Sequence, residues 1–443
     1  MNIFFMSLGC DKNLVDSEMM ISRLQDYDFQ LVSDPEDAEV IVINTCCFIS
    51  DAKEESINSI IEMGEYKEGN CKLLVVCGCL AQRYHKEILE ELPEVDIIIG
   101  ATAVEKLSEA ILKTLDNKGE IEKSTYLEDV NYLPKSVVYD DHSSGGSRAY
   151  LKIAEGCDKC CTYCVIPEIK GHYRSVPMPE LLLQATHLVE NGARELILVA
   201  QETTLYGSDI YGEKKLHVLL NKLSNIEGLK WIRLLYCYPE EIYDELIYEI
   251  RDNKKVCHYI DMPIQHASDN ILSRMGRWTN KQELVDIVGK LKDNIPDIAI
   301  RTTLITGFPG ETEDDFDEMY EFVREMNFKR LGVFTYSQEE NTPAAELENQ
   351  IDEDVKADRR DRIMELQQSL AFDEAQAQVG RELDVMIEGF IPEDNIYVGR
   401  SYMDAPDVDG LVFVNYDGRL DSGDFVRVEI IQAKDYDLVG EVL

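Results

Sequence analysis

The chain has 443 residues, 44% of them apolar, enough for two or three domains that each bury a core. No apolar run approaches the length of a membrane span, and the amino-terminal MNIFFMSLGCDKN has no basic segment ahead of a long apolar one. Neither a span nor a secretory leader is therefore expected, and the cytoplasm is the expected compartment. The 86 acidic residues against 44 basic ones give a net charge of -42. Such a surface repels phosphate backbones and draws basic partners, which argues against broad nucleic-acid affinity.

Residues 1–137 alternate short apolar runs with segments of helical periodicity. Strands are predicted at 2–8, 38–45, 72–78 and 95–100, and helical segments such as 16–27 lie between them. That alternation predicts a parallel sheet covered by helices. Residues 139–149 are polar and glycine-rich and read as a linker. A second run of strand and helix follows, with strands predicted at 150–156, 195–201, 230–236, 258–265, 298–307 and 331–337. Pro179 marks one helix start and Gly192 its end. Thr312 with Asp315 three residues on predicts a capping box. Six such units predict a partial (β/α) barrel whose site lies at the C-terminal strand ends. The charged, helically periodic stretch 353–377 reads as a connecting helix. From 378 to 443, short strands at 383–390, 411–416 and 425–433 are broken by Asp-Gly and Ser-Gly turns, which predicts a small antiparallel β-barrel. The expected architecture is thus a multidomain α/β chain with units at 1–137, 138–377 and 378–443.

Twelve cysteines in a reducing compartment point to metal binding or catalysis rather than disulfides. Cys157, Cys161 and Cys164 form CxxxCxxC directly after a predicted barrel strand. Three thiolates on so tight a loop can hold three irons of a cubane cluster and leave the fourth iron open for a ligand. Tyr163 is placed to cover the cluster or a bound cofactor. With Cys160 included, the same stretch also parses as two abutting CxxC pairs, a possible zinc set, although it lacks the spacer that lets such a loop close a tetrahedron. Cys10, Cys46 and Cys79 each follow a predicted strand of the first sheet, and parallel strand ends converge on one edge. Three cysteines remote in sequence can therefore meet there, while each taken singly reads as a buried small hydrophobe. Cys47, Cys71, Cys77, Cys237 and Cys257 are assigned to that second role. Residues 307–310, Gly-Phe-Pro-Gly, lack the lysine and glycine spacing of a phosphate loop and read as a turn. The seven histidines show no metal-ligand pair at helical spacing.

CxxxCxxC with an aromatic residue before its last cysteine, on the loop after a barrel's first strand, resembles the radical-SAM signature. The stretches SLGC, NTC and GCLAQ look like the N-terminal domain of methylthiotransferases, and the C-terminal barrel resembles a TRAM domain. The resemblance covers nearly the whole chain; Cys47 and Cys160 are its departures. It implies two 4Fe-4S clusters, one on Cys157, Cys161 and Cys164 and the other on Cys10, Cys46 and Cys79. It also implies S-adenosylmethionine as cofactor and an electron donor as partner. Gln201, Arg233, Gln265 and Arg301, at or near barrel strand ends, are expected either to contact S-adenosylmethionine with Tyr163 or to make ordinary salt bridges.

Two branches of that family differ in substrate. One methylthiolates a tRNA adenosine, the other the β-carbon of an aspartate in the twelfth small-subunit ribosomal protein. The stretches 201–209, 259–268, 336–344 and 401–410 look like the second branch, as do the paired acids Glu339 and Glu340. The terminal barrel, with 5 basic and 15 acidic residues between Arg381 and Glu441, suits a basic protein better than tRNA. Asp404, Asp407 and Asp409 are expected to help capture that protein. The alternative from another class is a binding scaffold with a closed metal site, which added S-adenosylmethionine would leave spectroscopically unchanged.

Overall fold

The computed structural model describes residues 1–25, 27, 29–116, 122–134 and 146–443. Most of the predicted linker, and the boundary at 137–138, lie outside these residues.

The first sheet contains β1 (Asn2–Ser7), β2 (Gln30–Leu31), β3 (Val40–Thr45), β4 (Leu73–Gly78), β5 (Ile97–Gly100) and β6 (Ser124–Tyr126). They are all parallel, in the order β2-β1-β3-β4-β5-β6. The centre of this sheet is covered on both faces, so β3, β4 and β5 are unbroken buried runs rather than alternating ones. The two short edge strands, β2 and β6, were not expected; neither carries an apolar run long enough to stand out.

The second sheet begins with β7 (Arg148–Lys152). The predicted strand at 150–156 breaks at Ile153, and its remainder, β8 (Ala154–Glu155), pairs antiparallel with β9 (Arg174–Ser175). The sheet continues through β10 (Glu195–Val199), β11 (Trp231–Leu234), β12 (Val256–Asp261), β13 (Ala299–Thr306) and β14 (Arg330–Thr335), each parallel to the last. Six parallel strands in sequence order make the expected partial barrel. Leu151, Leu198, Leu234 and Ile300 pack in the core that the surrounding helices share, while Tyr150, Ile197, Trp231 and Tyr259 cluster with the terminal barrel. The capping box at Thr312 and Asp315 forms as predicted.

The helix Glu353–Gln376 leads to a closed five-stranded barrel of β15 (Glu382–Ile391), β16 (Ile396–Arg400), β17 (Val412–Asn415), β18 (Phe425–Lys434) and β19 (Asp437–Val442). It is antiparallel except where β17 meets β19 in parallel, a pairing that closes the barrel without leaving an edge.

This barrel is clasped to the partial barrel by buried charge. Arg400 reaches Glu195 at 2.6 Å and Glu388 at 2.8 Å. Asp404 pairs with Arg330, and Asp409 lies 3.5 Å from Arg301 and accepts a hydrogen bond from Tyr259 at 2.7 Å. Asp404 and Asp409 therefore do not face a partner: their side chains are 2% exposed and already spent inside the molecule. Only Asp407 remains exposed, and it pairs with Arg148 at 2.7 Å. The expectation for Asp404 and Asp409 fails because a local acid count does not say which carboxylates an internal arginine will claim.

Two cysteine sets at facing strand ends

β1, β3 and β4 are neighbours in their sheet; Cys46 and Cys79 are the first residues beyond β3 and β4, and Cys10 is the third beyond β1. Two glycines make the turns possible. Gly9 (φ +86) brings its backbone so close to Cys46 that an added Cβ would lie 2.9 Å from the sulfur. Gly78 (φ +93) is equally tight against Asn44 and Thr45. Asn13 ties the three ends together: its amide donates to the carbonyls of Leu8 and Thr45, both at 3.0 Å, and its oxygen lies 3.8 Å from the Cys79 sulfur. Ser56 holds Cys46 by accepting from its N–H at 3.1 Å and donating to its carbonyl at 2.8 Å.

The CxxxCxxC loop starts at Gly156 (φ +78), whose missing Cβ leaves room for the carbonyl of His172. The Cys157 N–H bonds Gly171 at 3.1 Å, and Thr162 is held through its N–H to Met275 at 2.9 Å and its hydroxyl to Arg274 at 2.9 Å. The buried Arg277 places a guanidinium nitrogen 4.0 Å from the Cys161 sulfur and stacks over Tyr238 at 4.4 Å. Tyr163 packs edge-on to Phe308 at 6.4 Å beside the loop. Residues 307–310 cradle no phosphate: the N–H groups of Gly307 and Phe308 donate to the Glu311 carboxylate at 2.8 and 3.3 Å.

The twelve thiols differ in exposure. Cys46, Cys79, Cys157 and Cys161 are 6–8% exposed, and Cys10 and Cys164 are half-buried, so each set reaches a surface. Cys47, Cys77 and Cys237 are fully buried, Cys71 and Cys257 nearly so, and Cys160 is exposed. Burial pushes the Cys157 thiol up to about 11 and the Cys164 thiol to about 12, and the charges of neighbouring cysteines add to it. Burial likewise lifts Cys79; Lys170 pulls it down, and Cys46, Cys47 and Cys10 push it up. Thiols that oppose one another's ionisation need a shared cation to become thiolates together, which is the chemistry of an iron–sulfur donor set. Among the described residues, no three His, Cys, Asp or Glu side chains gather around a point fit for a single ion.

The remaining sequence-predicted residues divide. Gln201 spends its amide on the loop's base, donating to Glu155 at 2.8 Å and accepting from the Gly156 N–H at 2.9 Å. Arg233 is corrected: it is wholly buried, bonded to Glu195 at 2.7 Å and to the carbonyl of Tyr402 at 2.7 Å, and belongs to the barrel clasp. Arg301 is held in the same region by Asp261 at 3.0 Å and Asp409. Arg233 thus has no exposed surface to offer a cofactor, whereas Arg301 keeps 21% of its side chain exposed. Gln265 (φ +71) is half-buried, its backbone bonded to Thr303 and Ile305, and its side chain makes no bond to the described residues. Glu339 and Glu340 latch the end of the partial barrel to the first domain: Glu339 lies 3.4 Å from Arg83, and Glu340 accepts from Tyr84.

Several residues near the sites carried no signal in the sequence. Arg277 sits in an irregular stretch, and Asn13 in the first turn of the helix Asp11–Gln25, ahead of the periodic segment predicted at 16–27. Glu202, next to Gln201, is fully buried with one carboxylate oxygen unpartnered, and burial raises it to about 8. Tyr236 adopts a left-handed backbone (φ 60), costly for an aromatic residue, and its ring carries the Lys12 ammonium 3.1 Å from its centre. Its hydroxyl bonds Asp11 at 3.3 Å, so the partial barrel touches the first domain beside Cys10.

Residues 2–100 match the uncharacterized protein family UPF0004, residues 151–323 the radical SAM superfamily, and residues 379–443 the TRAM domain. Over 99% of its length, and 99% of that protein's, the chain is 56% identical to the ribosomal protein uS12 methylthiotransferase RimO of Lachnoclostridium phytofermentans. The protein of the same name from Clostridium perfringens is 50% identical over 98% of this chain and 97% of its own. The chain belongs to the RimO family of methylthiotransferases. It is accordingly a radical-SAM enzyme, and that family implies an iron–sulfur cluster and S-adenosylmethionine. Among solved structures, the radical S-adenosylmethionine methyltransferase TsrM of Kitasatospora setae shares the fold, with a TM-score of 0.57 at 12% identity over 87% of this chain and 78% of that one. The departures of this RimO-family chain, Cys47 and Cys160, lie outside both cysteine sets. No helix among its described residues is long and apolar enough to cross a membrane.

Proposed function

We propose that this chain methylthiolates the β-carbon of an aspartate in ribosomal protein uS12, in the cytoplasm, with two 4Fe-4S clusters held by separate cysteine sets. The observation that carries the reading is the presence of two thiol trios, one beyond the C-terminal ends of three neighbouring parallel strands and the other on the single loop that follows β8, each with one half-buried member. Cys157, Cys161 and Cys164 would hold the cluster whose open iron binds S-adenosylmethionine, and Cys10, Cys46 and Cys79 the other. When bound, these groups supply the one-electron chemistry and the sulfur and methyl groups, with electrons from a low-potential donor. The chain's own residues do the rest. Arg277 stabilises negative charge at Cys161, Tyr163 covers the loop, and Gln201 fixes the loop's first turn through Gly156. The side chain of Gln265 remains available to a ligand.

The units 1–137, 138–377 and 378–443 divide this work as sulfur handling, radical generation and partner capture. Even without the clasp residues, the barrel's exposed side chains stay acidic, Asp384, Asp394, Asp417, Asp421 and Glu429 among them. That surface attracts a basic ribosomal protein and repels tRNA. The test is mass spectrometry of uS12 from cells with and without this enzyme. A methylthio mass on one aspartate, present only with the enzyme, is expected; methylthiolated tRNA with unmodified uS12 would overturn the substrate assignment.

A further inference from the structure

Four ionisable side chains are buried together where the first domain meets the partial barrel. Asp16, on the helix Asp11–Gln25 that starts beside Cys10, spends one oxygen on Lys152 and the other on Lys170, the latter at 2.9 Å. Glu155 completes the group, 2.7 Å from Lys152 and 3.6 Å from Lys170. None of the four side chains is more than 8% exposed. Two cations meet two anions, so the group is neutral as a whole in a chain of net charge -42.

The group is connected toward both cysteine sets. Glu155 accepts from Gln201, whose oxygen takes the N–H of Gly156, one residue before Cys157. Lys170 ends the helix Ile166–Lys170, which starts two residues after Cys164. From there it crosses to the carbonyl of Ala101 in the first domain, at 3.4 Å, and its charge acts on Cys79. A continuous path of bonded groups therefore runs from the helix behind Cys10, through Asp16, to both ends of the CxxxCxxC loop.

Burying four charges is a poor way to gain stability, because desolvation offsets most of the attraction; well-packed apolar groups would hold an interface as firmly. What ion pairs of this kind supply, and a greasy contact does not, is a single allowed arrangement. We propose that Asp16, Lys152, Glu155 and Lys170 are a positioning quartet that fixes the two cysteine sets relative to each other, so that the radical-generating and sulfur-handling sites act on one substrate carbon. This rests on the assignment of the two sets made above.

The test uses the full chain, reconstituted, as Asp16→Asn and as the charge-balanced pair Asp16→Leu with Lys170→Met, which leaves the Lys152–Glu155 bridge neutral and intact. Iron content and 5′-deoxyadenosine formation should match wild type, while methylthiolated product per deoxyadenosine falls about 100-fold, the usual result of a misplacement near 1 Å. In the iron-free chain, hydrogen exchange should show protection lost together in the helix Asp11–Gln25 and at 166–170, with the terminal barrel unchanged. An unaltered product ratio in the charge-balanced pair overturns the proposal, and so does iron loss in that pair, which would make the quartet a stability element. Failure of the underlying assignment reads differently: substitution of the six cysteines would leave the iron content at the wild-type level.

Discussion

The two cysteine sets are brought together by opposite routes. Cys157, Cys161 and Cys164 lie within eight residues on one loop, and local turns keep them together. Cys10, Cys46 and Cys79 are spread over seventy residues and meet only because β1, β3 and β4 are neighbours in a parallel sheet. The first set is ordered by what clamps its loop: Gly156, Gly276 and the 274–277 segment. The second is ordered by the fold itself, with Asn13 as the pin. A ligand set written locally can be read from spacing; one written in topology can be read only after the strands are assigned. The difference also predicts independence, since neither set borrows a ligand from the other.

The largest effect should come from breaking the local set. Replacing Cys157, Cys161 and Cys164 by alanine should halve the iron of a chain expected to hold about eight, and abolish cleavage of S-adenosylmethionine. Iron analysis with a deoxyadenosine assay checks both. Breaking the remote set instead, with Cys10, Cys46 and Cys79 as alanines, should remove the other half of the iron and all methylthio transfer while cleavage persists. Transfer that survives in this variant would end the case for a sulfur-handling domain.

Next comes the support around each set. Arg277→Met removes the cation beside Cys161 without touching a ligand, and should cost about 10- to 100-fold in cluster retention or cleavage, in the range typical for partners of metal ligands. Asn13→Ala leaves the carbonyls of Leu8 and Thr45 without their donor, at about 1–3 kcal/mol. Iron should then fall in the first domain only, read as loss of one cluster signal with the other intact. Equal loss of both signals would contradict the independence of the sets.

The central strands of the first sheet, the order of the domains and the six strands of the partial barrel were legible as apolar runs, unbroken where parallel strands are buried on both faces, while the short or alternating β2, β6, β9, β16 and β19 were not. The six candidate cysteines stood out because three of them follow a strand within one short motif and three more each follow a strand. What escaped was charge. Arg233, at a barrel strand, looked like a cofactor ligand, and Asp404 and Asp409 like surface acids. All three turned inward to join one clasp, between residues 38 to 169 apart in the chain. The same blindness hid the quartet at Asp16, whose members read singly as ordinary helix and strand-end charges. Sequence spacing carries the partners of a thiolate set far better than those of a buried salt bridge, because ion pairs form across the fold and leave no period.

The clasp gives the smallest predicted effect, since it acts at low pH and away from both sites. Glu195 is fully buried, which alone would raise its carboxyl, but Arg400 and Arg233 outweigh burial and hold it at about 2 instead of its ordinary 4.5. A carboxyl held low in the folded state contributes stability that is complete above its ordinary value and is lost as pH falls through the folded one. The contact between the terminal barrel and the partial barrel should therefore weaken between about pH 4.5 and 2 and be unaffected near neutrality. Trp231, stacked edge-on against Phe425 of the terminal barrel at 4.7 Å, reports on that contact, and Trp278→Phe removes the only other tryptophan. In this background the emission of Trp231 should shift across the acid window. Glu195→Gln should abolish the part of the shift that Glu195 causes and leave the barrel already loosened at pH 7, because Arg233 then stands buried without its anion and Arg400 keeps only Glu388. Identical acid titrations of the two proteins would mean that the arginines, rather than their shared carboxylate, hold the barrel in place.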